Sequence, residues 1–144
     1  MVDKFTLGID IGTTGVKASV LNVDKGMVVA HSLKEHPLFH PKPGYAEQEG
    51  DNYWKAVVAA VKDCFSQGSY ADKIAGVSLS GLVGVMLPID KEGKPVRPGM
   101  IWMDSRSEEE CDDIRNSVGE EKINLINGNR LAPWFVEPKA LWMK

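Results

Sequence analysis

Apolar and polar residues alternate on either side of a Gly-Thr-Thr-Gly turn between Leu7 and Val20, "LGIDIGTTGVKASV". Before the central turn, Leu7, Ile9 and Ile11 share one face of an extended chain and Gly8 and Asp10 the other. After it, Val16, Ala18 and Val20 oppose Lys17 and Ser19. This period of two predicts a strand, a glycine-rich turn and a second strand, with Asp10 pointing away from the apolar layer at the mouth of the turn. "GMVVAHSLKEH" predicts a third strand, and the proline-bearing segment 37–50 a long irregular connection. Asp51 is placed to cap a helix running through Phe65, with Trp54, Val57, Val58, Val61, Cys64 and Phe65 at core-facing intervals. "KIAGVSLSG" and "VGVMLPID" read as two further strands, and "GMIWMD" as a short strand ending at Asp104. Ser105 is expected to cap the charged helix "RSEEECDDIRNSV", Glu120 to Ile126 to form another helix, and "PKALWMK" to open a last helix with proline at its start.

Composition narrows the function classes. The 144 residues, 43% of them hydrophobic, suffice for one substantial core, and 17 basic against 20 acidic residues give a net charge of −3. That balance offers no attraction to nucleic acid or to an anionic membrane. No apolar run reaches the length of a membrane span and "MVDKFTLGID" lacks a secretory core, so a soluble cytoplasmic protein is expected. Cys64 and Cys111 are far apart and read as reduced thiols. His31, His36 and His40, interrupted by Pro37, suit no zinc spacing and read as part of a solvated connection.

The chemistry suggested by the opening turn is phosphate binding. Gly8, Gly12 and Gly15 match neither of the two best-known glycine-rich phosphate motifs, both of which lead into a helix. Instead, Gly12 and Gly15 are expected to allow unusual backbone angles, so that main-chain N–H groups and the Thr13 and Thr14 hydroxyls converge on an anion in a nest-like turn. Asp10 alone would repel a phosphate; with Mg²⁺ between them the same carboxylate attracts it. The competing reading is an ordinary hairpin whose Asp and Thr side chains satisfy turn backbone.

Three leading strands followed by alternating helices and strands suit an α/β domain of the ribonuclease H-like or actin-like kind. The ordered segments "IDIGTTGVKASV", "YAEQEGDNYW", "VSLSG", "IWMDSR" and "NGNRLAPWFVEPKALW" resemble the N-terminal part of an FGGY-family carbohydrate kinase, xylulokinases being the nearest subgroup. The resemblance runs from about residue 5 to the last residue, and the apolar "ALWM" close to the end reads as the interior of something longer. Residues 1–144 are therefore expected to be the N-terminal portion of the family's first domain. The resemblance implies transfer of the ATP γ-phosphoryl group to a sugar or polyol hydroxyl, in a cleft between two actin-like domains, with Mg²⁺ as cofactor. A homodimer of the full-length protein is compatible with it.

Position by position, the resemblance implies that Asp10 is the phosphate-loop aspartate associated with Mg²⁺ and the transferring phosphoryl group. Gly12, Thr13 and Thr14 would face the nucleotide phosphates, with Lys17 near them. Trp102, Asp104 and Arg106 would offer the sugar an aromatic wall, a carboxylate acceptor and a guanidinium donor, and Trp134 would be an aromatic neighbour of the same cleft. Two departures stand out. Where xylulokinases carry Gln-Met-His-Gly, with the His on the sugar, this chain has Leu82, Val83, Gly84 and Val85. Val83 and Gly84 would make a roomier, more apolar sugar wall, shift preference away from xylulose, and let Gly84→His restore it. The family's catalytic base and adenine-binding domain are the second departure: neither has a counterpart here, and Asp104 is not assigned as the base. An actin-like nucleotide-binding or regulatory module is the alternative, but it has no need of "IWMDSR" or "PKALW".

Overall fold

The computed structural model describes residues 4–144, which divide into two compact units: residues 4–37 with 50–82, and residues 38–49 with 83–144. In the first unit, β1 (Phe5–Ile11), β2 (Gly15–Asn22), β3 (Met27–Glu35) and β5 (Ile74–Gly81) form a sheet in the order β3-β2-β1-β5. β1 pairs antiparallel with β2 and parallel with β5. The expected alternation is realised. Leu7 and Ile9 of β1 and Val16, Ala18 and Val20 of β2 are buried on one face, under α1 (Gly50–Ser66), which packs on β2 and β3 through Ala56, Ala60 and Cys64. At roughly 1.5–3 kcal/mol for each large apolar side chain removed from water, this layer holds the strands in register.

Trp54 departs from expectation: it lies on the exposed face of α1, and the buried stripe follows the small residues Ala56, Ala60 and Cys64. Small side chains let the helix approach the sheet closely, and helical geometry then sets Trp54 on the other side. Asp51 falls inside the first turn of the helix rather than before it.

The second unit contains a short antiparallel ladder of β4 (Glu47–Gln48) with β6 (Gly99–Met100), then α2 (Glu108–Val118), α3 (Glu120–Asn127) and α4 (Val136–Trp142). Cys111 of α2, Ile123 of α3 and Leu131 form its buried apolar cluster. Residues 83–90, expected as a strand, make only isolated bridges, Met86 to Met100 and Ile89 to Pro95. Gly84 sits in a left-handed conformation and Pro88 has no N–H to give a ladder, so the segment cannot pair continuously. "GMIWMD" is likewise a strand for two residues only, because a turn closed by Asp104 N–H on Ile101 C=O, 3.0 Å, ends it. Ser107, not Ser105, occupies the N-cap of α2, and its hydroxyl donates to Pro133 C=O at 3.2 Å instead of capping the helix. The last helix begins at Val136, two residues before the expected start at Pro138, which lies within its first turn. Both cysteines are free and buried, and burial pushes the Cys111 thiol up to about 11.

Candidate functional site

In the first unit, the chain reverses between β1 and β2 over Thr13 and Thr14, with Gly12 N–H donating to Gly15 C=O at 3.0 Å. Neither glycine adopts a positive φ, contrary to expectation. Space demands glycine at 15, where a Cβ would lie 2.7 Å from Lys34 C=O; at Gly12 a Cβ would make a tight contact of 3.1 Å with Gly15 C=O. A nest of alternating hand is therefore absent from this turn, and any anion would have to be met by the outward Thr13–Thr14 segment itself.

The sheet register builds a polar row beside the turn. Asp10 lies between Lys17 of β2 and Ser80 of β5, and Gly8 between Ser19 and Ser78. Those residues and Ile9 line an open trough of about 310 Å³. The Asp10 side chain is 47% exposed, and among the described residues its ion partner is Lys17 at 3.8 Å. So long a contact between exposed groups contributes little to stability, and a carboxylate left this open is available to a cation.

His36, read from the sequence as part of a solvated connection, is buried instead. Its Nε2–H donates to Gly12 C=O at 3.0 Å, and its ring meets Tyr53 edge-on at 4.8 Å. His36 N–H also donates to Thr14 C=O at 3.3 Å. Two residues of the candidate phosphate turn are thus tied to the end of β3. His36 closes the segment predicted as the third strand, and its spacing from His31 and His40 carries no signal of this contact.

In the second unit, the two tryptophans singled out from the sequence stand at the tips of turns. Trp102 follows Ile101 in the turn closed by Asp104; Trp134 follows Pro133 in a turn closed by Phe135 N–H on Ala132 C=O at 3.0 Å. Trp102 is 49% exposed, Trp134 52% and Val83 80%. Gly84 brings these segments together: a Cβ there would lie 2.5 Å from Trp134 C=O and 3.6 Å from Trp102 Cβ.

Asp104 and Arg106 are placed otherwise. Asp104 is 1% exposed. Its Oδ2 accepts Ala46 N–H at 2.7 Å and Arg106 Nη2 at 2.6 Å, and its Oδ1 accepts Arg106 Nε at 2.8 Å. The same guanidinium donates to Glu47 Oε1 at 2.7 Å and lies 3.5 Å from the centre of the Tyr45 ring. Burial works against the Arg106 charge, but hydrogen bonds to Asp104 and Glu47 outweigh it and hold its pKa above the ordinary value. The pair is internal bracing beneath the Trp102 turn, with neither group presented to solvent.

The left-handed φ of Gly84, +71°, and its contact with Trp134 C=O overturn the expected benefit of Gly84→His. A non-glycine residue costs about 1–2 kcal/mol in that conformation, before the backbone clash is counted. Gly84→His should lower the chemical-denaturation midpoint of the chain and gain no xylulose specificity; an unchanged midpoint would show that the turn can rearrange.

Residues 5–144 match the N-terminal domain of the FGGY family of carbohydrate kinases. A xylulose kinase of Staphylococcus xylosus is 31% identical over 97% of this chain, and a glycerol kinase of Oceanobacillus iheyensis 30% identical over 99%. The chain spans 29% of the length of each. Among solved structures, a xylulose kinase from Rhodospirillum rubrum superposes with a TM-score of 0.91 at 26% identity, and a gluconate kinase from Lactobacillus acidophilus with 0.89 at 25%; they share 97% and 99% of this chain and 29% and 28% of their own. These neighbours are sugar kinases of the actin-like, ribonuclease H-like fold, which the mixed α/β structure shares. No helix among the described residues is long and apolar enough to cross a membrane. The match from Phe5 to Lys144 and the shared fold agree on one assignment: this chain belongs to the FGGY family of carbohydrate kinases.

Proposed function

We propose that the chain is the N-terminal portion of a kinase that transfers the γ-phosphoryl group of ATP to a sugar or polyol hydroxyl. The observation that carries the reading is Asp10, half exposed at the mouth of the Thr13–Thr14 turn and loosely paired to Lys17. In this proposal Gly12, Thr13 and Thr14 face the nucleotide phosphates, Lys17 offsets their charge, and Asp10 holds Mg²⁺. The donor set fits that ion, which is commonly bound by one or two carboxylates together with substrate phosphates. When bound, Mg²⁺ would neutralise charge developing on the phosphoryl oxygens.

The second unit supplies the sugar-facing wall. Trp102, Trp134 and Val83 offer apolar surface at turn tips, suited to the C–H faces of a sugar ring or polyol chain. Asp104 and Arg106 serve the wall by bracing it from beneath. The apolar Val83 and the side-chain-free Gly84 favour a sugar, polyol or sugar acid other than xylulose.

The chain by itself should show no sugar-dependent ATP turnover, since no acceptor-activating base is assigned within it, yet its tryptophan fluorescence should respond to millimolar polyols or ketoses. Turnover near 1 s⁻¹, within the usual enzyme range, would mean the whole machinery is present. A fluorescence response to no member of a sugar and polyol panel would remove the wall assignment.

A further inference from the structure

Lys139 is the largest fully buried side chain among the described residues, with 0% exposure. Among the described residues, no carboxylate forms an ion pair with it. Its Nζ donates to three main-chain carbonyls: Gly84 at 2.6 Å, Ile101 at 2.7 Å and Trp134 at 2.9 Å. These three residues are far apart in sequence, yet each belongs to one of the wall segments: Gly84 follows Val83, Ile101 precedes Trp102, and Trp134 is itself a wall residue. We propose that Lys139 is the positioning residue of the sugar-facing wall, its ammonium pinning the three turns in one arrangement; the inference rests on the wall reading above.

Proton counting supports this. Three acceptors within 2.9 Å call for three N–H donors, which an ammonium has and a neutral amine lacks. Burial pulls the Lys139 pKa down to about 8, with Asp104 favouring the charge and Arg106 opposing it, so the ammonium persists at neutral pH. Burying a charge without an ion partner is costly unless dipoles replace the water it loses. Lysine suits this task better than arginine, because a compact ammonium can meet three convergent carbonyls, whereas a planar fork cannot. The glycine at 84 belongs to the same device, since any Cβ there would collide with the Trp134 carbonyl that Lys139 holds.

The test uses Lys139→Met, similar in length but without a donor, in the 144-residue chain. Amide exchange at Met86, Ile101, Asp104 and Phe135, whose N–H groups are hydrogen-bonded in or beside the three turns, should accelerate by about tenfold or more, while β1 to β3 stay within about twofold. Dissociation constants for a polyol or ketose that quenches the tryptophans should rise by about tenfold, with ADP affinity unchanged. Uniform acceleration across the chain, or an unaltered sugar affinity, would overturn the proposal. Should the variant fail to fold, the ¹⁵N spectrum of Lys139 Nζ in the unmodified chain decides. A slowly exchanging three-proton ammonium coupled to the carbonyl carbons of Gly84, Ile101 and Trp134 supports the pin, and a rapidly exchanging uncoupled signal refutes it. Absence of any sugar binding by the unmodified chain would count against the proposed function, and the exchange and ¹⁵N readouts would still judge Lys139.

Discussion

Asp10→Asn in the complete kinase should lower kcat by about two orders of magnitude or more while leaving the protein folded. The side chain lies on the polar face of β1, away from the layer of Leu7, Ile9, Val16, Ala18 and Val20 that α1 covers. Its ion pair with Lys17 is long and exposed, so removing the charge takes little from stability. Charge neutralisation at the phosphoryl group, in contrast, matters most as the transition state forms, so the loss should fall on kcat more than on the KM for ATP. Steady-state kinetics with an unfolding curve of the same sample separate the two effects. Near-normal kcat with ordinary stability would return the Thr13–Thr14 turn to a plain hairpin.

The parts legible in the sequence were those governed by local period. Strand alternation placed Val16, Ala18 and Val20 inside and Asp10 outside, because a side chain's face is decided by its immediate neighbours. The helices beginning near Gly50, Glu108 and Glu120 were legible for the same reason. The failures were tertiary. Trp54 matched an apolar helical stripe, but close approach to the sheet selected Ala56 and Ala60. Gly12 and Gly15 have the pattern of angle-permissive turn residues, whereas the shortage of room beside Lys34 C=O is what demands Gly15. His36 carries no sequence signal, and Lys139 none beyond its place in "PKALW", because their acceptors are main-chain carbonyls, which any residue type supplies, and three of the four lie 24 to 55 residues away. At the candidate site, the exposed tryptophans were found from the resemblance. The inward turn of Asp104 and Arg106 was hidden because Ala46 and Glu47, which meet them there, lie about sixty residues earlier.

That inward turn sets the last expectation. Arg106→Met should destabilise the second unit by about 3–5 kcal/mol, the usual cost of leaving a buried ion without its partner. Its guanidinium donates to both oxygens of Asp104 and to Glu47 Oε1, and the side chain is only 2% exposed. Methionine fills similar space and retains contact with the Tyr45 ring, but it leaves the buried Asp104 without its ion partner and Glu47 with only the longer contact to Arg97 at 3.6 Å. Against a total of roughly 5–15 kcal/mol for a whole domain, such a loss brings unit 2 close to unfolding. Trp102→Ala provides the contrast. The ring stands half exposed at a turn tip, so its removal should cost about 1 kcal/mol or less in stability while weakening sugar binding. Urea titrations of both variants, followed by hydrogen exchange at α2 and α4, distinguish a brace from a contact residue. If Arg106→Met kept wild-type stability and lost sugar affinity alone, Arg106 would be reaching the sugar after all, and the turn above it would have to open to admit it.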